Sequence, residues 1–210
     1  MAIKILIVDD HEEVRQSFKM NLALDSEMDV VGEASNGADA LEQVAALQPD
    51  VVLMDLQMPT MSGLEAIPAL REQYPEIEII ALTSVADHGS ITQAVQVGAI
   101  GYLLKDTQPD QLLRAIHAAY EGRVQLSLQT AAMLLQEMDL PDQSETFVDM
   151  EIHVLRLLGS GKSTLEIAQA LRMDEKSVRS YVRNILYKLH LNSRTQAALY
   201  ALRLGLSRLD

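Results

Sequence analysis

Short apolar runs alternate with segments of helical periodicity over residues 3–121. The runs have the length of strands: "IKILIV" (3–8), "DVVGEA" (29–34), "VVLM" (51–54), "IEIIAL" (77–82) and "IGYLL" (100–104). Between them, apolar residues recur at three- and four-residue steps, as at Leu112, Leu113, Ile116 and Ala119. Strands that are apolar along their whole length are buried on both faces. The pattern therefore predicts an α/β fold, a doubly wound five-stranded parallel sheet with helices on both sides.

The alternation stops after residue 121. The segment "SLQTAAMLLQEM" has the pattern of one helix, and "DLPDQSET" that of an acidic connector. From residue 147 onward only helical patterns occur: a helix to Leu158, a short one through Leu171, a long one from 175 to about 190 and a last one from about 194 to 204. We therefore predict a first domain over 1–123, a partly helical linker over 124–146 and an all-α four-helix domain over 147–210.

Charge is distributed unevenly along the chain. The net charge is −13, yet residues 1–146 hold 24 acidic and 7 basic side chains, while residues 147–210 hold 6 acidic and 10 basic ones. The smaller part, at +4, can approach phosphates although the whole protein is acidic.

The chain has no cysteine, no apolar run of membrane-spanning length and no signal-peptide pattern, so we expect a cytosolic protein that binds no membrane.

Polar side chains follow the predicted strands at one edge of the sheet. Asp9 and Asp10 end the first strand, Asp55 the third and Thr83 the fourth, and Lys105 follows the fifth. Carboxyl ends of parallel strands form the ligand-binding edge of such sheets. Three crowded carboxylates repel one another, and Mg²⁺ relieves this because it accepts carboxylates, waters and a phosphate oxygen. Taken singly, each residue is better explained as an ordinary turn or cap residue, but all five together at the strand ends are not.

The same positions suggest a reaction. A carboxylate at a strand end can attack phosphorus and form an aspartyl phosphate, so Asp55 is the candidate nucleophile. Lys105 and the Thr83 hydroxyl would then meet the phosphoryl charge. Phosphatases with an aspartate nucleophile need a general acid two residues later, where Gln57 stands and cannot donate a proton.

Two other patterns indicate no site. The stretch "GSGKST" (159–164) lacks the first glycine of a nucleotide-binding loop, because Arg156 stands there. The five histidines show no metal-ligand spacing and are expected on the surface or partly packed; they are His11, His88, His117, His153 and His190.

The segment over about residues 3–121 resembles the receiver domain of bacterial response regulators. The matching motifs are Asp9-Asp10, "MDLQMP" with Asp55, Gly63, "LTS" with Thr83, Tyr102 and Lys105. The resemblance implies a flavodoxin-like fold, with Asp55 as phosphoacceptor and Mg²⁺ held by Asp10, Asp55 and the Gln57 backbone carbonyl, assisted by Asp9. It also implies a switch made of Thr83 and Tyr102, and catalysis limited to the domain's own phosphoryl transfer and dephosphorylation. Asp106 stands where many receivers have proline, which makes a cis bond after Lys105 too costly, at about 3 kcal/mol.

The stretch "LEIAQALRMDEKSVRSYVRNILYKL" has the form of a short helix, a turn and a longer helix. Asp174 is a good N-cap for the longer one. An apolar stripe on this helix comprises Val178, Val182, Ile185, Leu186 and Leu189, and the opposite face carries Lys176, Arg179, Ser180, Arg183 and Tyr187. A helix with an apolar back and arginines in front suits the major groove of DNA. A basic solvated face is common on any helix, but the helix-turn-helix spacing and the local positive charge within an acidic protein favour DNA binding.

This module resembles the LuxR-type helix-turn-helix of the NarL/FixJ response regulators, on "EIAQAL" and "KSVRSYVRNILYKLHLNSRTQA". By position, Arg179, Ser180 and Arg183 are implied to face bases, with Lys176 beside them. Ser177, Lys188 and Arg194 are implied to contact phosphates. The domain entrance departs from the family pattern, since Val148 and Met150 stand where threonine and arginine are usual.

These observations predict a transcriptional regulator of a two-component system. A sensor histidine kinase would phosphorylate Asp55, and the protein would bind double-stranded DNA as a homodimer. Candidate dimer surfaces are "LLKDTQPDQLLRAIHAAYEG" (103–122) and the last helix, "TQAALYALRLG" (195–205). The alternative is a DNA-binding regulator controlled by protein contacts alone, with Asp55 unused.

Overall fold

The computed structural model describes residues 2–84, 88–124, 127–139, 141 and 147–207. The chain forms two compact units, Met1–Tyr120 and Glu121–Asp210. Among the described residues, no helix has the length and apolar character that crossing a bilayer requires.

The first unit alternates strands and helices along its whole length. Its elements are β1 (Ile3–Val8), α1 (Glu12–Leu22), β2 (Met28–Ala34), α2 (Gly37–Leu47), β3 (Val51–Asp55), α3 (Gly63–Gln73), β4 (Glu78–Thr83), α4 (His88–Val97), β5 (Gly101–Leu104) and α5 (Pro109–Tyr120). The five predicted strands are confirmed, each within one residue at either end.

All five strands are parallel, in the order β2-β1-β3-β4-β5. The predicted flavodoxin-like fold is therefore confirmed. The order reverses at β1, which lies between β2 and β3, and such sheets bind ligands outside the carboxyl ends of the strands at this reversal.

Two apolar cores cover the two faces of the sheet, because successive side chains of a strand point to opposite sides. Leu6, Val8 and Met54 pack on one face with residues of α2 and α3. Ile5, Ile7 and Leu53 pack on the other face with residues of α1 and α5. Burial on both sides explains why the strand sequences are apolar throughout.

The second unit is all-helical. It contains α6 (Leu128–Glu137), α7 (Asp149–Gly159), α8 (Thr164–Leu171), α9 (Glu175–Leu189) and α10 (Arg194–Arg203). The side chains of Ser163, Asp174 and Ser193 cap α8, α9 and α10 by accepting a backbone N–H of the first turn. The predicted four-helix domain is present, and its core contains Val154, Ile167, Val178, Ile185 and Tyr200 among others.

The helix predicted in the linker is present as α6, and it packs against α10. The residues just before it are also held within the second unit, since the Thr164 N–H donates to the Glu121 carbonyl at 3.0 Å and Arg123 pairs with Glu166 at 3.2 Å. Helix α10, a candidate dimer surface by sequence, is buried from Arg194 to Ala201. It is part of the core of this unit.

Candidate metal centre and candidate nucleic-acid interface

The ends of β1 and β3 bring two aspartates side by side. Val8 and Met54 are register partners, so Asp9 and Asp55, one residue further on, lie next to each other. The Asp9 N–H donates to the Ala34 carbonyl at 3.1 Å, which continues the β1–β2 pairing past the last residue of β1. The main chain therefore fixes both positions.

Asp9, Asp10 and Asp55, which we call the acidic pocket, lie close together with His11. One ligand atom from each of these four residues lies within 4.8 Å of all the others. Asp9 and Asp55 are buried, at 0% and 3% exposure, whereas Asp10 is partly exposed. The structure thus gathers the three carboxylates that the sequence assigned to one edge of the sheet.

Lys105 enters the pocket from the end of β5. Its Nζ lies 2.7 Å from Asp55 Oδ2 and 2.7 Å from Asp9 Oδ2. Its backbone N–H donates to the Thr83 carbonyl at 3.0 Å, which extends the β4–β5 pairing. No peptide bond in the described ranges is cis. A trans bond before Asp106 is therefore compatible with an ammonium group beside Asp55.

Burial and charge oppose each other in this pocket. Burial raises the pKa of Asp55, and hydrogen bonds from Lys105 and from the Gln57 N–H offset only part of that rise. Burial by itself would lower the pKa of Lys105, but its contacts with Asp55 and Asp9 outweigh this and hold the pKa above its usual range. The charged Lys105 therefore favours the ionised form of Asp55.

Arg15 holds the backbone of Asp9 in place, a role that the sequence did not suggest. Its Nη1 donates to the Asp9 carbonyl at 2.7 Å, and its Nε donates to Glu33 at 3.1 Å. Lys19 contacts the same Glu33 carboxylate at 2.6 Å. Hydrogen bonds from Lys19 and Arg15 hold the pKa of Glu33 below its usual range despite partial burial. An ionised Glu33 thus orients the arginine that holds the end of β1.

The donor set fits a hard divalent cation. Three carboxylates and one ammonium leave a formal charge of −2. Oδ1 of Asp10 is buried and receives no hydrogen bond from the described residues, and Oδ2 of Asp9 is buried with Lys105 Nζ at 2.7 Å. Oxygen atoms with unused lone pairs in a negative pocket are suitable ligands for Mg²⁺. Gln57 lies next to Asp55 and donates its N–H to Asp55 Oδ1 at 3.2 Å, while the metal role of its carbonyl stays a prediction.

The start of α3 presses against the pocket. A Cβ atom on Gly63 would lie 2.1 Å from the Asp55 carbonyl oxygen, so only glycine permits this approach. Ser62 and Glu65 form a reciprocal capping box that fixes where the helix begins.

Thr83 and Tyr102 occupy neighbouring strands. Thr83 ends β4, and Tyr102 is the register partner of Ala81, two residues earlier on the same face. Tyr102 is half-buried and packs against the core on that face. Their role as a switch stays a prediction.

The face of α9 that carries Lys176, Arg179, Ser180, Arg183 and Tyr187 is called the recognition face here. Lys176, Arg179 and Arg183 are exposed, and Tyr187 is 82% exposed. Asp174 caps the helix, and its pKa is lowered because it accepts hydrogen bonds from the backbone and side chain of Ser177. On the opposite side Val178, Val182, Ile185 and Leu189 are buried. The helix is thus anchored by its buried apolar side and exposes its basic side chains on the other.

The three residues assigned to phosphate contacts lie outside the recognition face. The Ser177 hydroxyl donates to Asp174 at 2.9 Å. Lys188 donates to the buried Glu151 at 2.7 Å, and Arg194, at 7% exposure, donates to Thr164 Oγ1 at 3.0 Å. Lys188 and Arg194 thus each join two helices of their own unit, and their role as phosphate contacts stays a prediction.

Comparison with known proteins identifies both parts of the chain. Residues 5–117 match the family model described as the response regulator receiver domain, and residues 146–201 match that of the bacterial regulatory proteins of the luxR family. The transcriptional regulatory protein LnrK of Bacillus subtilis is 36% identical, over 98% of this chain and 99% of its own. The DNA-binding transcriptional activator DevR/DosR of Mycobacterium tuberculosis is 36% identical, over 98% and 97%.

Among solved structures, one similar protein is the response regulator ChrA of a heme-sensing two-component system. It has a TM-score of 0.54 and 32% sequence identity, and the match covers 98% of each chain. The likeness extends over both units, so the order of the two domains along the chain is shared as well.

Proposed function

The chain belongs to the response regulators that join a receiver domain to a LuxR-type DNA-binding domain, and we propose that phosphorylation of Asp55 controls its binding to DNA. In this proposal a sensor histidine kinase is the phosphoryl donor and the protein is a cytosolic transcriptional regulator. The contact between Lys105 and Asp55 inside the acidic pocket is the observation that carries the proposal.

The proposed reaction transfers a phosphoryl group to a carboxylate. An Asp55 Oδ atom attacks phosphorus, a new phosphorus–oxygen bond forms, and the phosphorus–nitrogen bond of a phosphohistidine breaks. The imidazole leaves with the electron pair and takes up a proton. Because burial raises the pKa of Asp55, the nucleophile needs positive charge nearby, and Lys105 supplies it at 2.7 Å.

Asp10, Asp55 and the Gln57 carbonyl would hold a Mg²⁺ ion, with Asp9 assisting. When bound, the ion offsets negative charge on the attacking and transferred oxygens. The buried Asp10 Oδ1, which receives no hydrogen bond from the described residues, supports this assignment.

The signal then reaches DNA through changes elsewhere in the protein. The aspartyl phosphate carries a charge of about −2 where the Asp55 carboxylate carried −1, and this charge draws the Thr83 hydroxyl inward and lets Tyr102 follow. The surface over 103–122 becomes a dimer interface, and the dimer binds double-stranded DNA with Arg179, Ser180 and Arg183 toward bases. The free exposure of Lys176 supports a phosphate contact for this residue.

Intact mass measurement tests the phosphoacceptor. Full-length protein treated with acetyl phosphate and Mg²⁺ should gain the mass of one phosphoryl group, and Asp55→Asn should gain none. Binding to a DNA duplex selected from a random pool by the phosphorylated protein should tighten on treatment for the wild type only.

The same experiment addresses the alternative, a regulator controlled by protein contacts with Asp55 unused. If neither protein gains mass and both bind the selected duplex equally, the proposed control by phosphorylation is refuted and the alternative stands.

A further inference from the structure

His11 is the residue of the metal centre that the spacing of histidines along the chain did not reveal. It follows Asp9-Asp10 directly and lies between β1 and α1, before the first residue of the helix. Its backbone N–H donates to Asp9 Oδ1 at 2.9 Å, which turns the chain so that the ring returns to the pocket. The ring remains 66% exposed, so burial does not fix its position, and it forms ion pairs with Asp9 and Asp10.

The imidazole Nδ1 faces the same space as the carboxylates. It lies 2.8 Å from Asp10 Oδ1 and 3.3 Å from Asp9 Oδ1. The longer contact is a hydrogen bond that Nδ1–H donates to Asp9, and a cation bound at Nδ1 would displace this proton. The shorter of these contacts lacks the direction of a hydrogen bond, since Asp10 Oδ1 receives none from the described residues. Neighbouring ligands of an octahedral ion with bonds of ~2.1 Å are ~3 Å apart, and the two distances bracket that value.

Ligand chemistry then separates two classes of cation. Mg²⁺ binds oxygen ligands, and a neutral imidazole nitrogen adds little to its binding. Divalent transition-metal ions bind imidazole well. A pocket of three carboxylates and one imidazole should therefore discriminate between the two classes.

We infer that His11 is a nitrogen ligand of the acidic pocket and makes it select divalent transition-metal ions over Mg²⁺. The inference rests on the proposed function, because it uses the same pocket. It concerns which cation the pocket prefers, whereas phosphoryl transfer requires only that some divalent cation is bound.

Cation binding to the full-length protein provides the first test. Protein freed of metal with a chelator is titrated calorimetrically with Mn²⁺ and with Mg²⁺ at one fixed pH. His11→Ala should weaken Mn²⁺ binding by about ten-fold while changing Mg²⁺ binding by about two-fold or less. His117→Ala is the matched control, because His117 also faces two carboxylates, Asp25 and Glu27, each at 3.7 Å. The control should leave both affinities unchanged.

Spin-echo spectroscopy of the Mn²⁺-loaded protein is the second, independent readout. A coupling of the Mn²⁺ electron spin to a ¹⁴N nucleus should be present in the wild type and in His117→Ala and absent in His11→Ala. His11→Phe, which keeps a ring but no nitrogen, should behave like His11→Ala and rules out an effect of lost volume.

The outcomes are distinguishable. Equal weakening of Mn²⁺ and Mg²⁺ by His11→Ala would mean that the ring only positions Asp10, and absence of the ¹⁴N coupling in the wild type would likewise overturn the inference. In both cases phosphorylation of Asp55 with Mg²⁺ could proceed, and the proposed function would stand. If the wild type binds neither cation and gains no mass with acetyl phosphate, the inference and the proposed function both fail.

Discussion

The acidic pocket and the recognition face hold their charged side chains in opposite ways. The pocket gathers residues from separate strand ends, buries two of them almost completely and fixes them by contacts with Lys105, Arg15 and the backbone. The recognition face takes all its residues from one helix and leaves its arginines in solvent, where Arg179 makes a 3.5 Å contact with Glu175. The positions of the charged groups in the pocket therefore depend on backbone geometry. The recognition face depends instead on which side chains stand along its one helix.

Gly63→Ala tests the dependence of the pocket on backbone geometry, and we expect the largest effect here. The added Cβ would meet the Asp55 carbonyl oxygen at 2.1 Å, and the backbone cannot yield as a flexible side chain would. We expect a loss of about 3 kcal/mol in the free energy of unfolding and weaker Mg²⁺ binding, measured by urea denaturation and calorimetry. Gly101→Ala is the control, because nothing lies within 4 Å of its added Cβ. Equal stability of the two variants would contradict the expectation.

Arg179→Ala and Arg183→Ala test the recognition face. Each should lose ~1–3 kcal/mol of binding to the selected duplex and relax its specificity, because a base contact is removed. The thermal unfolding midpoint should not change, since both side chains are exposed. Equal losses on random DNA would instead assign the two residues to phosphates.

Lys188→Ala should behave in the opposite way although it lies on the same helix. Its ammonium neutralises Glu151, whose side chain is 5% exposed, at 2.7 Å. Leaving that carboxylate without its partner should cost about 1–2 kcal/mol of stability, a value reduced for the partial exposure of the lysine. Urea denaturation measures the loss. If Lys188→Ala instead keeps its stability and loses affinity for DNA, the assignment to packing is wrong.

Asp55→Asn should stabilise the protein at neutral pH in the presence of a chelator. Because burial raises the pKa of Asp55 in the folded state, folding favours its protonated form, and stability falls as the pH rises through that pKa. The variant has no such charge, so its advantage should disappear below pH ~4, the ordinary range of an aspartate. Thermal unfolding of the variant and the wild type, at neutral pH and below pH ~4, measures this advantage.

Added Mg²⁺ provides the control for Asp55→Asn. Because Mg²⁺ should stabilise the wild type, it should narrow the difference in stability between the two proteins at neutral pH. A variant less stable than the wild type at neutral pH would show that Lys105 compensates fully for burial.

His190→Gly should give the smallest effect. His190 ends α9 in the left-handed conformation at φ 51°, which glycine adopts without strain, so we expect a gain of about 0.5–1 kcal/mol. Gln48 ends α2 of the first unit at φ 47°, but its side chain donates to the Val44 carbonyl at 3.2 Å. Gln48→Gly should therefore gain less, and urea denaturation of both variants compares the two units. A larger gain for Gln48→Gly would contradict this.

Local patterns were sufficient to predict the strands, the helices of the second unit and the positions of Asp9, Asp10, Asp55 and Lys105 at one edge of the sheet. A strand end is visible in the sequence because an apolar run gives way to polar residues, and parallel strands bring their carboxyl ends together whatever the loops contain. The exposed arginines of α9 were visible for a similar reason, since the helical period alone decides which residues share a face.

The orientation of individual side chains toward other elements was decided only by tertiary structure. Lys188 contacts Glu151, which is 37 residues away in the sequence, and Arg194 contacts Thr164, which is 30 residues away. The local sequence around either residue therefore could not predict these contacts. His11 could have been suspected from its place beside Asp9-Asp10, yet only the turn of the chain after β1 brings its ring to the carboxylates. Periodicity determines which face a residue occupies, whereas the element packed against that face determines whether its charge is free to bind a ligand.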